Sequence, residues 1–401
     1  MERRRIAVIG SGIAGLTAAY VLQRDHDVTL FEADERLGGH AHTHDVPTGA
    51  VDSGFIVHNR RTYPLLTRLF AELGVETRAS QMSLSVSCAG CGLEYAGGKG
   101  LTGLLAQGRV RPAYLRMLGE VPRFRRAARQ ALASGQDRTL GEFASGFTPY
   151  FGTHFLAPLI SAVWSCTPAR ALQYPARHLF TFLRNHGMLA VGGSPRWRTV
   201  VGGSRAYVER IAKHLPAVRT SCPVIRLRRS GDGVELVADG RHTFAAAVVA
   251  THPDQALRLL AAPTEAEREV LGAFTYSRNE AVLHTDTTVL PRAAGARASW
   301  NLRMDCRAAA VPSVRVSYDM NRLQGQPYLV SLGEPIAAHH EIARMVYRHP
   351  AYTPESVAAQ RRLPWLNDRR IAFAGAYHGW GFHEDGCRSG LLAAQALGGD
   401  W

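Results

Sequence analysis

The opening of the chain constrains it most. Ile6-Ala7-Val8-Ile9 is a short apolar run suited to a buried parallel strand. Gly10-Ser11-Gly12-Ile13-Ala14-Gly15 follows at once, Leu16 to Leu22 reads as a helix, and Asp27 to Phe31 reads as a second strand ending at Glu32. Gly10 permits a tight turn, Gly12 lets the backbone approach a pyrophosphate, and Gly15 lets the helix lie against the strand. The helix N-terminus offers unpaired N–H groups to phosphates. Glu32 falls where a carboxylate accepts hydrogen bonds from a ribose. The glycine trio alone is weak. Strand, trio, helix, strand and acid in that order predict a dinucleotide site.

The next residues extend the pattern. Glu32-Ala33-Asp34-Glu35-Arg36-Leu37-Gly38-Gly39 resembles the extended fingerprint of the FAD-dependent amine oxidase and phytoene desaturase superfamily. The resemblance implies that Ala33, Arg36, Gly38 and Gly39 continue along the diphosphate and flavin. His40 stands where many members carry Arg, so it either meets the ring or substrate or lines a loop. Near the other end, Arg370 to Gly375 is a strand running into glycine, and Gly381-Phe382-His383-Glu384-Asp385-Gly386 leads into a helix through Ser389-Gly390. This is similar to the superfamily's C-terminal flavin motif, with Gly375, Gly386 and Ser389 near the ring. A helix N-terminus aimed there would stabilise negative charge on a reduced flavin. In the middle, Thr199 to Ser204, Cys222 to Leu227 and Ala247 to Thr251 match the superfamily's third piece, which implies that Val224 lies against the adenine.

The expected fold is therefore α/β, a discontinuous Rossmann-like FAD-binding domain with a mixed α+β substrate domain, in the amine oxidase/GDI-like two-domain architecture. Residues 1–75, 200–265 and 366–401 are assigned to the FAD domain. Residues 76–199 and 266–365 are assigned to the substrate domain, with a helical subregion near 101–190.

A narrower resemblance runs through Val51 to Val57 with Asn59, Tyr63 and Pro64, Ser83 to Ser87, Tyr318 to Gln324 and Gly381 to Gly386. These segments look like one bacterial NAD/FAD-binding family, often encoded beside cyclopropane-fatty-acid-synthase-like methyltransferases. That likeness implies redox chemistry on a methyl-branched, methylene or unsaturated fatty acyl chain, with a lipid methyltransferase as an expected partner. An oxidase or dehydrogenase of an amine, carotenoid, porphyrinogen or secondary metabolite is the alternative, and a non-redox binding protein a second one. No lysine follows Lys213. Arginine cannot readily replace the lysine that amine oxidases use near the flavin, because it stays charged.

Tyr377-His378-Gly379-Trp380-Gly381-Phe382-His383 supplies the candidate active-site groups. Imidazoles suit acid/base work near neutrality, so His383, His378 and Tyr377 are the catalytic candidates; the competing reading is that both histidines bond loop backbone. Asn59, Tyr63, Trp164, Tyr318 and Trp380 are pocket candidates. FAD is expected to be non-covalent despite Cys387. No second Gly-x-Gly-x-x-Gly exists, so NAD(P)H is expected only as a transient electron donor.

Six cysteines are present, Cys88, Cys91, Cys166, Cys222, Cys306 and Cys387. Cys88 and Cys91 have the spacing of half a zinc site, but no second Cys or His pair follows to complete four ligands. They are read as small residues beside a turn, with no metal and no structural disulfide expected.

The formal charge is +14, almost all from arginine. Its densest run, Arg109 to Arg129, is interleaved with Leu115, Leu118, Val121, Phe124, Ala128 and Leu132. It reads as a solvated helix face, with peripheral contact to anionic membrane lipid as the alternative, and no nucleic-acid motif accompanies it. Met1 to Arg5 before an apolar run imitates a signal peptide, but dinucleotide-loop glycines interrupt it and no cleavage site follows. A cytoplasmic protein is expected, peripheral at the inner membrane face if that lipid contact is made.

Overall fold

The computed structural model describes residues 3–107, 111–135, 138–164, 167–189, 195–307 and 315–401. Its organising element is a five-stranded parallel sheet in the order Ala217–Arg219, Asp27–Phe31, Arg5–Ile9, Ala246–Val249, Ile371–Phe373. The central strands are apolar on both faces because both are covered. One face carries the front helix Ile13–Leu22 and the tail helix His383–Ala396. The other packs Ile9, Phe31, Val249 and Phe373 against Val224, Leu236, Leu271 and Leu363. Strands separated by hundreds of residues thus complete one another's hydrogen bonds.

The front and tail helices approach closely because glycines face each other. A Cβ on Gly386 would lie 2.6 Å from Ile13 Cγ2, and one on Gly390 would lie 2.2 Å from the Ala14 carbonyl oxygen. Cys387, fully buried in the same packing, has its thiol pushed up to about 12 by burial.

A second, seven-stranded sheet runs Glu341–Ala351, Thr275–His284, Leu329–Leu332, Arg315–Asp319, Trp300–Met304, Leu84–Cys88, Glu94–Gly97. It is antiparallel except where Trp300–Met304 runs parallel to Leu84–Cys88. Helices between Pro112 and Asn185 cover one end with an aromatic core around Phe124, Phe143, Phe151 and Phe180.

The arginine-rich segment is a helix, Pro112–Ser134, but its packed stripe is Tyr114, Met117, Phe124 and Ala128. Leu115, expected in the apolar stripe, is exposed. Leu118, Val121 and Leu132 pack partly buried against the same core. Arg109 and Cys166 lie outside the described residues. Among the described residues, no helix is long and apolar enough to cross a membrane.

A buried carboxylate on a two-stranded ribbon, Thr43–Val46 with Gly49–Asp52, ties the start of the helix Arg205–His214 to the helix Met320–Gln324. Asp52 accepts hydrogen bonds from Thr43 Oγ1 (2.6 Å), Ser204 N (2.9 Å), Ser204 Oγ (2.7 Å) and Gln324 Nε2 (2.6 Å). Gln324 Oε1 in turn accepts from the Asp52 N–H at 2.9 Å. Three of the segments singled out in the sequence, holding Asp52, Ser204 and Gln324, therefore meet at this knot.

The Cys88–Cys91 pair does occupy a turn, between Leu84–Cys88 and Glu94–Gly97. The expectation that nothing completes its ligand set is overturned by the fold. His154 and Cys306, each far away in sequence, bring their side chains to the same point.

Candidate functional site

The site begins at the turn after the first strand. Gly10 has φ +97°, donates its N–H to the Phe31 carbonyl at 2.8 Å, and has no room for a Cβ beside the Ala250 carbonyl. Gly15 is tighter still, since a Cβ there would lie 1.9 Å from the Gly10 carbonyl oxygen. Gly12 differs. It precedes the front helix, and a Cβ on it would meet nothing within 4 Å. The open space lies before a helix N-terminus, the natural place for a phosphate.

Glu32 is locked beside this turn. Its Oε2 accepts from Ser11 N at 2.8 Å and Ser11 Oγ at 2.5 Å, and Oε1 accepts from Asp34 N at 3.0 Å. Ala33 is exposed next to it, and Val224 packs nearby with Ile9 and Phe31. Gly38 bridges to Gly12 and donates its N–H to the Ser11 carbonyl at 3.1 Å; Gly39 lies just beyond, beside Gly12 Cα. The Arg36 guanidinium turns back onto its own loop, donating to the carbonyls of Gly39 (2.7 Å) and Ala41 (3.3 Å). It braces the double-glycine turn instead of pointing along the diphosphate.

His40, directly after the glycines, opens a cluster that sequence reading missed. Its ring lies 5.1 Å from Tyr347, 5.6 Å from His349 and 6.2 Å from His252, while His252 stacks on Tyr276 at 4.1 Å. Burial lowers His40 and His252 to about 4 and His349 to about 3. His40, His252 and His349, like His378 and His383, are only partly buried as residues, so the cluster borders open space. His40 Nε2, His252 Nδ1, His378 Nε2 and the Tyr377 hydroxyl find no partner within the protein. Buried polar atoms of native proteins are ordinarily satisfied, so these orphans fit a bound polar ring system. No spacing signal announced His252 or His349, since they come from a loop and a strand far from His40.

The tail closes the space from the other side. Gly375 donates its N–H to Ser389 Oγ (2.9 Å), which also lies 3.0 and 2.9 Å from the carbonyls of Gly375 and Gly386. Ser389 is thus spent on tying strand to helix and is not available to the ring. Glu384 accepts from the N–H groups of Leu65 and Leu66, holding the helix Pro64–Glu72 against the tail. Asp385 Oδ2 accepts from Trp380 N and Phe382 N, both at 3.0 Å, which fixes the glycine loop; its burial raises it to about 6. Two acids at a helix start are a legible signal, and these two were passed over.

The catalytic candidates separate. His383 stacks on Phe55 at 3.7 Å, and its Nε2 lies 3.0 Å from the Tyr207 hydroxyl. Burial lowers it well below the usual histidine value, and lowers His378 to about 4. Burial thus disfavours the imidazolium form of both. Tyr377 packs over Gly375 and against Phe274, with burial raising its hydroxyl above the usual range. It belongs to the hydrophobic core as much as to the site.

The pocket candidates also divide. Tyr63 and Trp380 line a cavity of about 380 Å³ with Arg61, Arg184, His186, Phe382 and Arg388. Asn59 does not. Its Oδ1 accepts from Arg61 N and Thr62 N and its Nδ2 donates to Thr62 Oγ1, so it builds the turn beneath the cavity. Trp164 is a core residue that donates Nε1–H to the Trp380 carbonyl at 3.1 Å. Tyr318 stands on the second sheet beside Trp300. Phe182, a buried residue of the helix Ala176–Asn185, stacks 5.1 Å from Phe382 and backs that wall of the cavity.

Comparison with known proteins agrees with this geometry. The model of the family "flavin containing amine oxidoreductase" matches residues 13–333. A protein of Mycobacterium tuberculosis named as a flavin-containing monoamine oxidase is 28% identical over 259 residues, 62% of this chain and 56% of that protein. The alignment thus spans little more than half of that relative's length. A coproporphyrinogen III oxidase of Mycobacterium leprae is 26% identical over 366 residues, covering 83% of this chain and 77% of the other. Among solved structures, one from Exiguobacterium named as a protoporphyrinogen oxidase superposes with a TM-score of 0.71 at 16% identity, covering 99% of both chains. A fatty acid isomerase of P. acnes that produces CLA superposes with a TM-score of 0.64 at 15% identity, covering 98% of both.

Proposed function

The chain belongs to the flavin-containing amine oxidoreductase family, and from that premise we propose that it is an FAD-dependent oxidoreductase acting on a fatty acyl chain with an anionic end. FAD would be held by the Gly10–Gly15 turn, Glu32 and the Gly38–Gly39 pair, with its ring between His40, His252 and the tail loop. The bound flavin supplies hydride transfer; the protein supplies position and surroundings.

The observation that carries the substrate class is the cavity beside the tail loop. Tyr63, Trp380 and Phe382 give it apolar walls, and Arg61, Arg184 and Arg388 give it cationic groups. Its two carboxylates, Glu384 and Asp385, are engaged by backbone N–H groups, and Arg388 lies 3.7 and 3.9 Å from them. An alkylammonium entering there meets like charge, whereas a carboxylate finds donors. The missing late lysine weighs the same way. The fold shared with a fatty acid isomerase is consistent with an acyl substrate. With the imidazolium form of His378 and His383 disfavoured, these histidines act as a hydrogen-bonding wall around the ring rather than as acids.

A porphyrinogen is the second reading, because it too is apolar and carries carboxylates, and the coproporphyrinogen III oxidase relative covers most of this chain. Anaerobic spectroscopy of FAD-loaded protein separates the readings. Unsaturated or methylene-bearing acyl lipids are expected to reoxidise the dithionite-reduced flavin, or saturated branched ones to bleach the oxidised flavin. Bleaching by coproporphyrinogen alone selects the second reading, and bleaching by alkylamines alone rejects both. Arg184→Met is expected to raise KM about tenfold with kcat little changed, as for one partly solvated charge-assisted hydrogen bond.

A further inference from the structure

Away from the flavin region, four metal-ligating side chains converge from three separate stretches of chain. The ligand atoms of Cys88, Cys91, His154 and Cys306 all lie within 4.8 Å of one another. Cys91 Sγ is 3.4 Å from His154 Nε2. We propose that these four residues bind one zinc ion, as a tetrahedral Cys3His centre that staples the helical layer to the second sheet.

The dimensions suit a single ion. Zn–S bonds of about 2.3 Å and a Zn–N bond of about 2.0 Å set tetrahedral corners about 3.5–3.8 Å apart. Clusters of several irons spread their cysteines more widely than one ion does, and a disulfide has no use for a fourth, imidazole ligand.

The surroundings are built for ligation. Gly92, at φ +70°, donates its N–H to the Cys88 carbonyl at 2.8 Å and curls the turn so that both thiols face one side. Ala89 N donates to the Met304 carbonyl at 2.9 Å, which anchors that turn to the strand leading into Cys306. Gly90 lacks the Cβ that would crowd Cys306 Sγ at 3.0 Å and collide with Asp305. His154 is held three ways. Its Nδ1 lies 3.2 Å from the Tyr150 carbonyl, so Nδ1–H donates there and Nε2 is left to the ion. The Tyr150 ring stacks on the imidazole at 4.0 Å, and the Tyr95 hydroxyl donates to the His154 carbonyl at 2.7 Å. His154 also sits in a π-helical turn, Gly152–Leu156, a widened geometry often found at functional positions. Cys88 and His154 are buried, Cys91 is half-buried and Cys306 is exposed, so the ion would be reached from one side.

The centre has a structural consequence. The helix Ala157–Trp164 starts directly after the π turn and ends at the indole that holds the Trp380 carbonyl. An ion at His154 would fix one end of that helix, and the tail loop the other.

Elemental analysis of the FAD-loaded protein from zinc- and iron-supplemented cultures tests this. One zinc per chain is expected, with cobalt substitution giving ligand-field bands to the red of the flavin absorption. Cys306→Ser, altering an exposed position, and His154→Ala are expected to lose the metal, while His154→Cys keeps it; flavin content in Cys306→Ser should stay at the wild-type level. Zinc that persists in both losing variants would overturn the proposal. So would iron in place of zinc, absence of metal with the three thiols and the imidazole all free and titratable, or a disulfide joining any two of the three cysteines in the alkylated protein.

Discussion

Gly12→Ala isolates the phosphate site from the fold that carries it. Gly12 has φ −61° and ψ 171°, a conformation alanine adopts freely, and its new methyl would meet no protein atom within 4 Å. Without FAD the substitution should therefore be neutral or stabilising by about 0.4–1 kcal/mol, through lost freedom in the unfolded chain. With FAD the methyl occupies the space before the Ile13–Leu22 helix, where the pyrophosphate needs direct access to backbone N–H groups. Displacing an anion from a helix terminus loses about 0.3–2 kcal/mol, and crowding a tight contact costs about 1–3 kcal/mol more. Together these predict that FAD affinity falls at least about tenfold. Flavin fluorescence titration of the apoprotein measures the affinity, and urea unfolding of the same preparation measures the stability. An affinity within twofold of the parent, or an apoprotein clearly less stable, would refute the assignment of this space to the pyrophosphate.

Three further outcomes follow from the same structure. Asp52→Ala removes the acceptor shared by Thr43, Ser204 and Gln324 and should cost about 3–5 kcal/mol in denaturant unfolding; a loss under 1 kcal/mol would mean the knot is replaced by water. Gly390→Val drives a side chain into the Ala14 carbonyl and should abolish flavin retention, read as the flavin-to-protein absorbance ratio after gel filtration. For acid, His284 is the cleanest reporter: its Nδ1 accepts from Asp286 N, so Nε2–H donates to Ser331, and burial lowers it to about 4. The unfolded chain binds that proton first, so His284 contributes nothing to the slope above pH 6.5 and a loss of up to about 1.4 kcal/mol per pH unit as pH falls from 6.5 to 4; His284→Gln should make that part of the profile shallower by this amount, the other buried histidines supplying the rest.

The nucleotide end was legible because its requirements are local. A turn, a close approach and a helix start each demand glycine at a fixed offset, so Gly10, Gly12, Gly15 and Glu32 could be placed from spacing alone. The ring end was legible only in outline. Gly386, expected near the ring, packs on Ile13, and Ser389 and Arg36 serve backbone carbonyls, because a nearby acceptor competes for any donor the chain can bend back on itself. Asn59 and Tyr377 show a related ambiguity, the one bracing a turn and the other packing in the core beside the site. Each is a residue type common in active sites, and only packing tells a turn brace or a core ring from a pocket wall. His252, His349, His154 and Cys306 carry no signal in one dimension, since their partners lie in other segments and meet only after the second sheet has formed.

The interleaving of the five-stranded sheet has a temporal consequence. Strand Ala246–Val249 is sandwiched between Arg5–Ile9 and Ile371–Phe373. At about 5–20 residues per second on the ribosome, tens of seconds separate emergence of the outer two. Throughout that interval Val8 and Val248 border an unfinished apolar edge, a natural client for chaperones. A flavin site built from both the Gly10–Gly15 turn and the tail helix is therefore incomplete until Ile371–Phe373 has joined the sheet.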